Sequence, residues 1–357
     1  MDRRIVLCIW LLIAAVIAPA SAAAQDAPSR PAHAVVMSRI AEARRLLAGA
    51  SIGTTRIGGD NAVLAVWQPS DPSRGTRLVN VRNGASRTRG FTVQVLVRNG
   101  VNSRYRIDGG WSVLAIRTNV RGAGRTRSMP VVHVPYDPAL HTPEMERDGR
   151  AYLESVIASA RRRLTDARAS SRSTDGRLVP DVIPDRVLMS LLVIEHVDPT
   201  DFASQGVERS AGQVFVIAAL NKDDAFRYAG SYAGALGLAQ FIRGTYALTR
   251  ARYPAARLPS DFRTGMGDHV AAVTAQYCLA DWSLSRLPAA ERDRLRLPAN
   301  AEDLGAFLAA AYNGGEERAA SAYLADRVSW ERAGCGLAAQ TVGYVAEFRE
   351  TYRFLGR

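Results

Sequence analysis

Glu195 closes a run, Val187-Leu188-Met189-Ser190-Leu191-Leu192-Val193-Ile194, that offers almost no polar side to water. A carboxyl group on such a helix loses hydration, so its pKa should rise towards neutrality. It would then carry a proton at working pH, as a general acid must. The bland expectation is a glutamate frayed into solvent in the last turn before Asp198-Pro199, which should end the helix. The stretch from Ser231 to Phe241 holds Gly234 and Gly237, followed by Gln240. Glycine lets a backbone turn sharply or lets a ligand approach, and the Gln240 amide both donates and accepts, as sugar hydroxyls and acetamides require. The same spacing also fits a tight helix start with Gln240 turned to solvent. Further on, Tyr312-Asn313-Gly314-Gly315 follows an alanine-rich helical run. Gly314 alone would make a helix cap, but a phenol and an amide at a helix end also reach into a cleft. Tyr344 would act likewise, or pack as a core aromatic.

The elements that must hold these residues fall into two parts. Helical spacing over 35–48 is followed by short β-like runs at 62–67, 77–81, 91–97, 111–117 and 130–134, with Asn99-Gly100 as a hairpin-turn signal. A long helical pattern covers 143–169, and the Ser/Thr/Asp-rich stretch after it reads as a linker. The expected organisation is a basic α+β domain over 25–169, a linker over 170–183, and a mostly helical domain over 184–357. Within the latter, 213–220 is rich in β-branched residues, Asn221-Lys222-Asp223-Asp224 would turn, and 225–228 would return as a small β-hairpin. The remainder reads as helices at 245–253, 267–287, 301–312, 316–324 and 340–355. The fold class expected is α+β. In the front domain the residues show no catalytic constellation.

Taken in order, Glu195, Ser231-x-x-Gly234-Ala235-x-Gly237-Leu238-Ala239-Gln240, Ala311-Tyr312-Asn313-Gly314-Gly315 and Tyr344 resemble the soluble lytic transglycosylase family, over roughly 184–355. The resemblance implies a lysozyme-like fold with Glu195 as the lone acid/base. Ser231, Gln240, Phe241, Tyr312, Asn313 and Tyr344 would then line a glycan cleft, and no cofactor or metal would be needed. The implied reaction cuts the bond between N-acetylmuramic acid and N-acetylglucosamine in peptidoglycan and closes a 1,6-anhydro ring. The chain departs from the pattern at His196, where the family has Ser, and at Ala239, where it has Met. It departs most in placing Gly234 39 positions after Glu195. Glu208 is the rival glutamate, though its surroundings are loop-like. A hydrolysing muramidase would want a second carboxylate, for which Asp198, Asp201, Asp223 and Asp224 are the candidates. A weakly catalytic, wall-binding module of an envelope-spanning assembly is the alternative of another class.

Charge and compartment narrow the partners. The net charge of +12 is carried almost wholly by arginine, since Lys222 is the only lysine. Such a surface suits nucleic acid, anionic lipid or an acidic polymer. Residues 1–24 combine Arg3 and Arg4, an apolar run and a small-residue tail, the pattern of a cleaved export signal. Export to the periplasm or beyond argues against nucleic acid and for peptidoglycan strands. Of the three cysteines, Cys278 and Cys335 would survive processing and form a bridge in an oxidising compartment, or remain buried thiols. Five scattered histidines give no zinc-ligand spacing.

Overall fold

The computed structural model describes residues 32–52, 61–97, 103–121, 128–231 and 233–357. The export signal expected at 1–24 and the Asn99-Gly100 turn lie outside these residues. The chain is mixed α+β, with more helix than strand.

The front part is built on β1 (Ala62–Trp67), which is buried on both faces. Because strand side chains alternate, Val63, Ala65 and Trp67 enter one apolar cluster while Ala62, Leu64 and Val66 enter another. Around it, β2 (Arg77–Arg82), β3 (Ala85–Ser86), β6 (Ser112–Arg121) and β7 (Ser128–His133) complete an antiparallel sheet ordered β3-β2-β1-β6-β7. A separate antiparallel pair joins β4 (Val93–Val97) to β5 (Arg104–Ile107). Helix α1 (His33–Ala48) buries Val36, Ile40, Ala43 and Leu47, one stripe at helical spacing, in the cluster of Val63 and Trp67.

The helical part holds α2 (Pro143–Asp166), α3 (Val179–Val182), α4 (Asp185–Ile194), α5 (Pro199–Asn221), α6 (Arg243–Arg252) and α7 (Phe262–Gly267). It continues through α8 (His269–Leu284), α9 (Ala289–Leu295), α10 (Ala301–Gly314), α11 (Glu316–Ala325) and α12 (Ala339–Leu355). Helices α4 and α8 are buried almost all round, and their residues sit in the largest apolar cluster.

Four expectations are corrected. The hairpin over 213–228 is absent, because 213–220 lies within α5. Ala211, Val214, Phe215 and Ala218 of α5 enter the large helical cluster, whereas Val216, Ala219 and Leu220 enter the cluster beneath the sheet. A helix wedged between two cores is apolar on opposite sides, so its sequence imitates a buried strand. The residues 170–183 are not a linker either. Ser170 bridges to Leu178, and Ser173 is buried against Asp281 of α8. Helix α2, expected in the front domain, buries Leu153, Val156, Ile157, Ala160 and Leu164 in the helical cluster. It crosses α5 so closely that a Cβ on Gly149 would lie 1.7 Å from the Phe215 carbonyl oxygen. The described residues accordingly form one compact unit. The Cys278–Cys335 bridge does not form: Cys278 is a buried free thiol on α8, and Cys335, also free, is half-buried between α11 and α12. Among the described residues no helix is long and apolar enough to cross a membrane.

Candidate functional site

Helix α4 ends one residue before Glu195, whose N–H still donates to Leu191 O. Asp198 does not terminate this helix. It starts the next one, accepting from the N–H groups of Thr200 and Asp201, as an N-cap does. The Glu195 carboxyl is thus left at the junction, over the apolar cluster. Burial pushes its pKa up to about 7, against the pull of a hydrogen bond donated to Oε1 by the Tyr344 hydroxyl of α12. One donor does not offset the lost hydration, so a large share of Glu195 is still protonated near neutral pH. The Tyr312 hydroxyl, from α10, donates to Ala239 O. Burial, and then the nearby Glu195 charge, raise the Tyr312 pKa well above that of a free phenol.

The glycine-bearing stretch is a compact turn. Gly237 has φ 72°, and a Cβ there would fall 2.3 Å from Met266 O, so only glycine fits. Gln240 is also left-handed, at φ 47°, and its Nε2 donates to Gly237 O at 2.7 Å. His196 secures this turn to the end of α4. Its Nε2–H donates to Leu238 O at 2.8 Å, and its ring stacks on Phe226 at 3.9 Å. Two successive carbonyls, of Leu238 and Ala239, are therefore held by His196 and Tyr312.

A cleft of about 340 Å³ opens here, lined by Glu195, His196 and Gln240. Its other walls come from places the sequence did not indicate. The front part supplies Arg104, His133 and Tyr136, and α5 supplies Gln205, Ser210, Gln213, Val214 and Ile217. Tyr136 is held from behind, its hydroxyl donating to His141 Nδ1 at 2.8 Å while His141 Nε2–H donates to Glu146. Burial pushes both cleft imidazoles, His133 and His196, down to about 4. Both imidazoles are therefore neutral near pH 7, where the Glu195 carboxyl is still partly protonated.

The expected site residues divide. Glu195 and Gln240 reach the cleft, with Tyr344 on the carboxyl and Tyr312 beside it. Ser231 is exposed, and its Oγ accepts from Ala235 N at 3.2 Å within the turn. Phe241 is buried in the core, edge-on to Tyr312 at 5.9 Å and to Tyr246 at 6.3 Å. Asn313 Oδ1 accepts from the Thr341 hydroxyl at 2.9 Å, tying α10 to α12. Of the second-carboxylate candidates, Asp198 and Asp201 line the cleft. Asp223 instead accepts from Tyr152, and Asp224 pairs with Arg227. Glu208 is exposed on α5. No sequence signal marked Arg104 or Tyr136, whose place in the wall depends on how the sheet meets α5.

Compared with family models, curated proteins and solved structures, the chain matches none.

Proposed function

We propose that this protein is a peptidoglycan lytic transglycosylase of lysozyme-like fold in which Glu195 acts alone as acid and base. The observation that carries the reading is a carboxyl group with a pKa of about 7, set in a cleft and bonded by one phenol. Near neutral pH such a group is present in both forms, the condition under which one residue can give and then take a proton.

The Tyr344 hydrogen is directed to Oε1, which leaves Oε2 to carry the transferable proton. Glu195 protonates the oxygen joining N-acetylmuramic acid to N-acetylglucosamine, and that bond breaks as positive charge builds on the muramic C1. The sugar's own acetamide oxygen shields this centre. The resulting carboxylate removes the proton from the C6 hydroxyl, whose oxygen closes on C1 as the anhydro ring. The Gln240 amide, fixed by its bond to Gly237 O, bounds the space in which the saccharide lies. Export through residues 1–24 would bring the protein to its polymer.

A hydrolase is the second reading, because Asp198 and Asp201 share the cleft with Glu195. One Asp198 oxygen is already engaged by two backbone N–H groups of α5, which leaves Asp201 as the better placed to activate a water. Mass spectrometry of fragments released from purified peptidoglycan decides between them, since anhydro ends lack one water. Glu195→Gln should lower release by about a thousandfold, within the range for losing a general acid. Unchanged release would sink the assignment and leave a wall-binding role.

A further inference from the structure

Helix α5 occupies the long interval between Glu195 and the glycine-bearing turn, and one of its faces lines the cleft. Ser210, Gln213, Val214 and Ile217 follow one another at spacings of three, one and three, the pattern of a single helical stripe. Gln205 joins them although it lies eight residues before Gln213. In a straight helix that separation is about 12 Å along the axis. Here the helix breaks at Gly206, with φ 80° and ψ 169°, and Gln213 Nε2 donates to Gln205 Oε1 at 3.1 Å. This bond uses one N–H of one amide and one lone pair of the other. The pair retains an acceptor on Gln213 and a donor on Gln205.

Ser210 supplies the independent sign of a ligand. It is 2% exposed and lines the cleft, and its Oγ has no partner among the described residues. With Gly206 outside helical geometry, the i−4 carbonyl that commonly takes a helical serine's hydrogen is displaced. A buried hydroxyl without a partner is unfavourable and marks a place where something else completes it. On the same stripe Val214 and Ile217 present apolar surface to the cleft.

We infer that this stripe of α5 is a subsite for the N-acetyl group of a hexosamine. The paired amides of Gln205 and Gln213 face its N–H and C=O, Ser210 offers a further hydroxyl, and Val214 with Ile217 receives the methyl. The inference rests on the reading of this cleft as a glycan site and adds a determinant that Glu195 and the glycine-bearing turn do not supply. A sugar without the acetamide would leave both amides and the hydroxyl unmatched, and a site built on polar groups discriminates strongly against such analogues.

The test is calorimetric titration of the full chain carrying Glu195→Gln with a β-1,4 tetramer of N-acetylglucosamine and, separately, with the uncharged β-1,4 glucose tetramer. The acetylated ligand should bind about tenfold or more tightly than the glucose one, the size expected when hydrogen bonds are lost without relief. Adding Gln213→Leu should cut that preference about fivefold or more, and Gln205→Leu, on the far side of the bend, should cut it similarly. Glu208→Gln, exposed on the same helix, should leave it intact. Far-ultraviolet circular dichroism at each titration temperature confirms that the compared variants are folded. Should both glutamine variants keep the full preference, the subsite is wrong while the role of Glu195 stands. Should the parent bind neither tetramer, the subsite fails together with the glycan reading.

Discussion

Two acidic side chains in the helical part are treated in opposite ways. Asp281, at 0% exposure on α8, accepts four hydrogen bonds, each 2.5–2.6 Å long. They come from the hydroxyls of Ser171, Ser173 and Tyr253 and the N–H of Arg172. Glu195 receives a single side-chain donor, from Tyr344, and opens onto the cleft. Four converging donors make a carboxylate a structural knot that fastens the 170–178 turn to α8. A carboxyl group with one donor and little water instead holds a proton it can release. The two sites differ most in the number of side-chain and backbone donors that converge on the carboxyl group, four against one.

The comparison would break most visibly at the anchor. Asp281→Ala leaves the buried hydroxyls of Ser173 and Tyr253, the half-buried hydroxyl of Ser171 and an N–H without their acceptor, and should lower unfolding free energy by at least about 3 kcal/mol, read from the urea midpoint. Glu195→Gln should do the reverse, with a defined pH dependence. The Glu195 pKa is raised from 4.5 to about 7 on folding. Below 4.5 both folded and unfolded states hold the proton and the ionisable group carries no penalty. As pH rises towards 7 the unfolded chain releases that proton more readily than the folded one, so stability falls. The variant should therefore match the parent at pH 4 and exceed it by up to about 3 kcal/mol at pH 8. Equal urea midpoints at pH 8 would mean that the carboxyl is solvated.

A smaller effect sharpens the same contrast. Tyr344→Phe removes the one donor that lowers the Glu195 pKa, so the alkaline limb of the pH–rate profile should move up by about half a unit to one unit. An alkaline limb that stays put, or falls to lower pH, would contradict the direction. Smallest of all is the response to a reductant. With Cys278 and Cys335 both free, dithiothreitol should leave the melting temperature unchanged, whereas a bridge would be seen as a drop on reduction.

Much of the fold was legible because local pattern and tertiary demand agree. The run from Val187 to Ile194 reads as a buried helix and is one, and β1 covers the expected 62–67. The raised pKa of Glu195 was legible for the same reason, since a carboxyl that closes an apolar helix loses hydration. Elsewhere the local signal answers to distant partners. Ser171 and Ser173 look like solvated linker residues, yet they serve an aspartate more than 100 positions away. Val214 and Val216 look like strand residues because their helix is buried on two sides. Ser231, Phe241 and Asn313 are residue types that could touch a ligand, but packing turns them to a turn, a core and a helix-to-helix bond. Nothing local distinguishes Arg104 or Gln205 as cleft residues, because their positions follow from the sheet's seat on α5 and from the break at Gly206.

That seat has a consequence for dissecting the molecule. Val216, Ala219 and Leu220 are covered by residues of α1, β1 and their neighbours. A fragment trimmed to the helical part would strip this greasy seam of its lid and remove Arg104, His133 and Tyr136 from the groove in the same cut. The polar and apolar duties of α5 make the front module a wall of the workplace and not a detachable accessory.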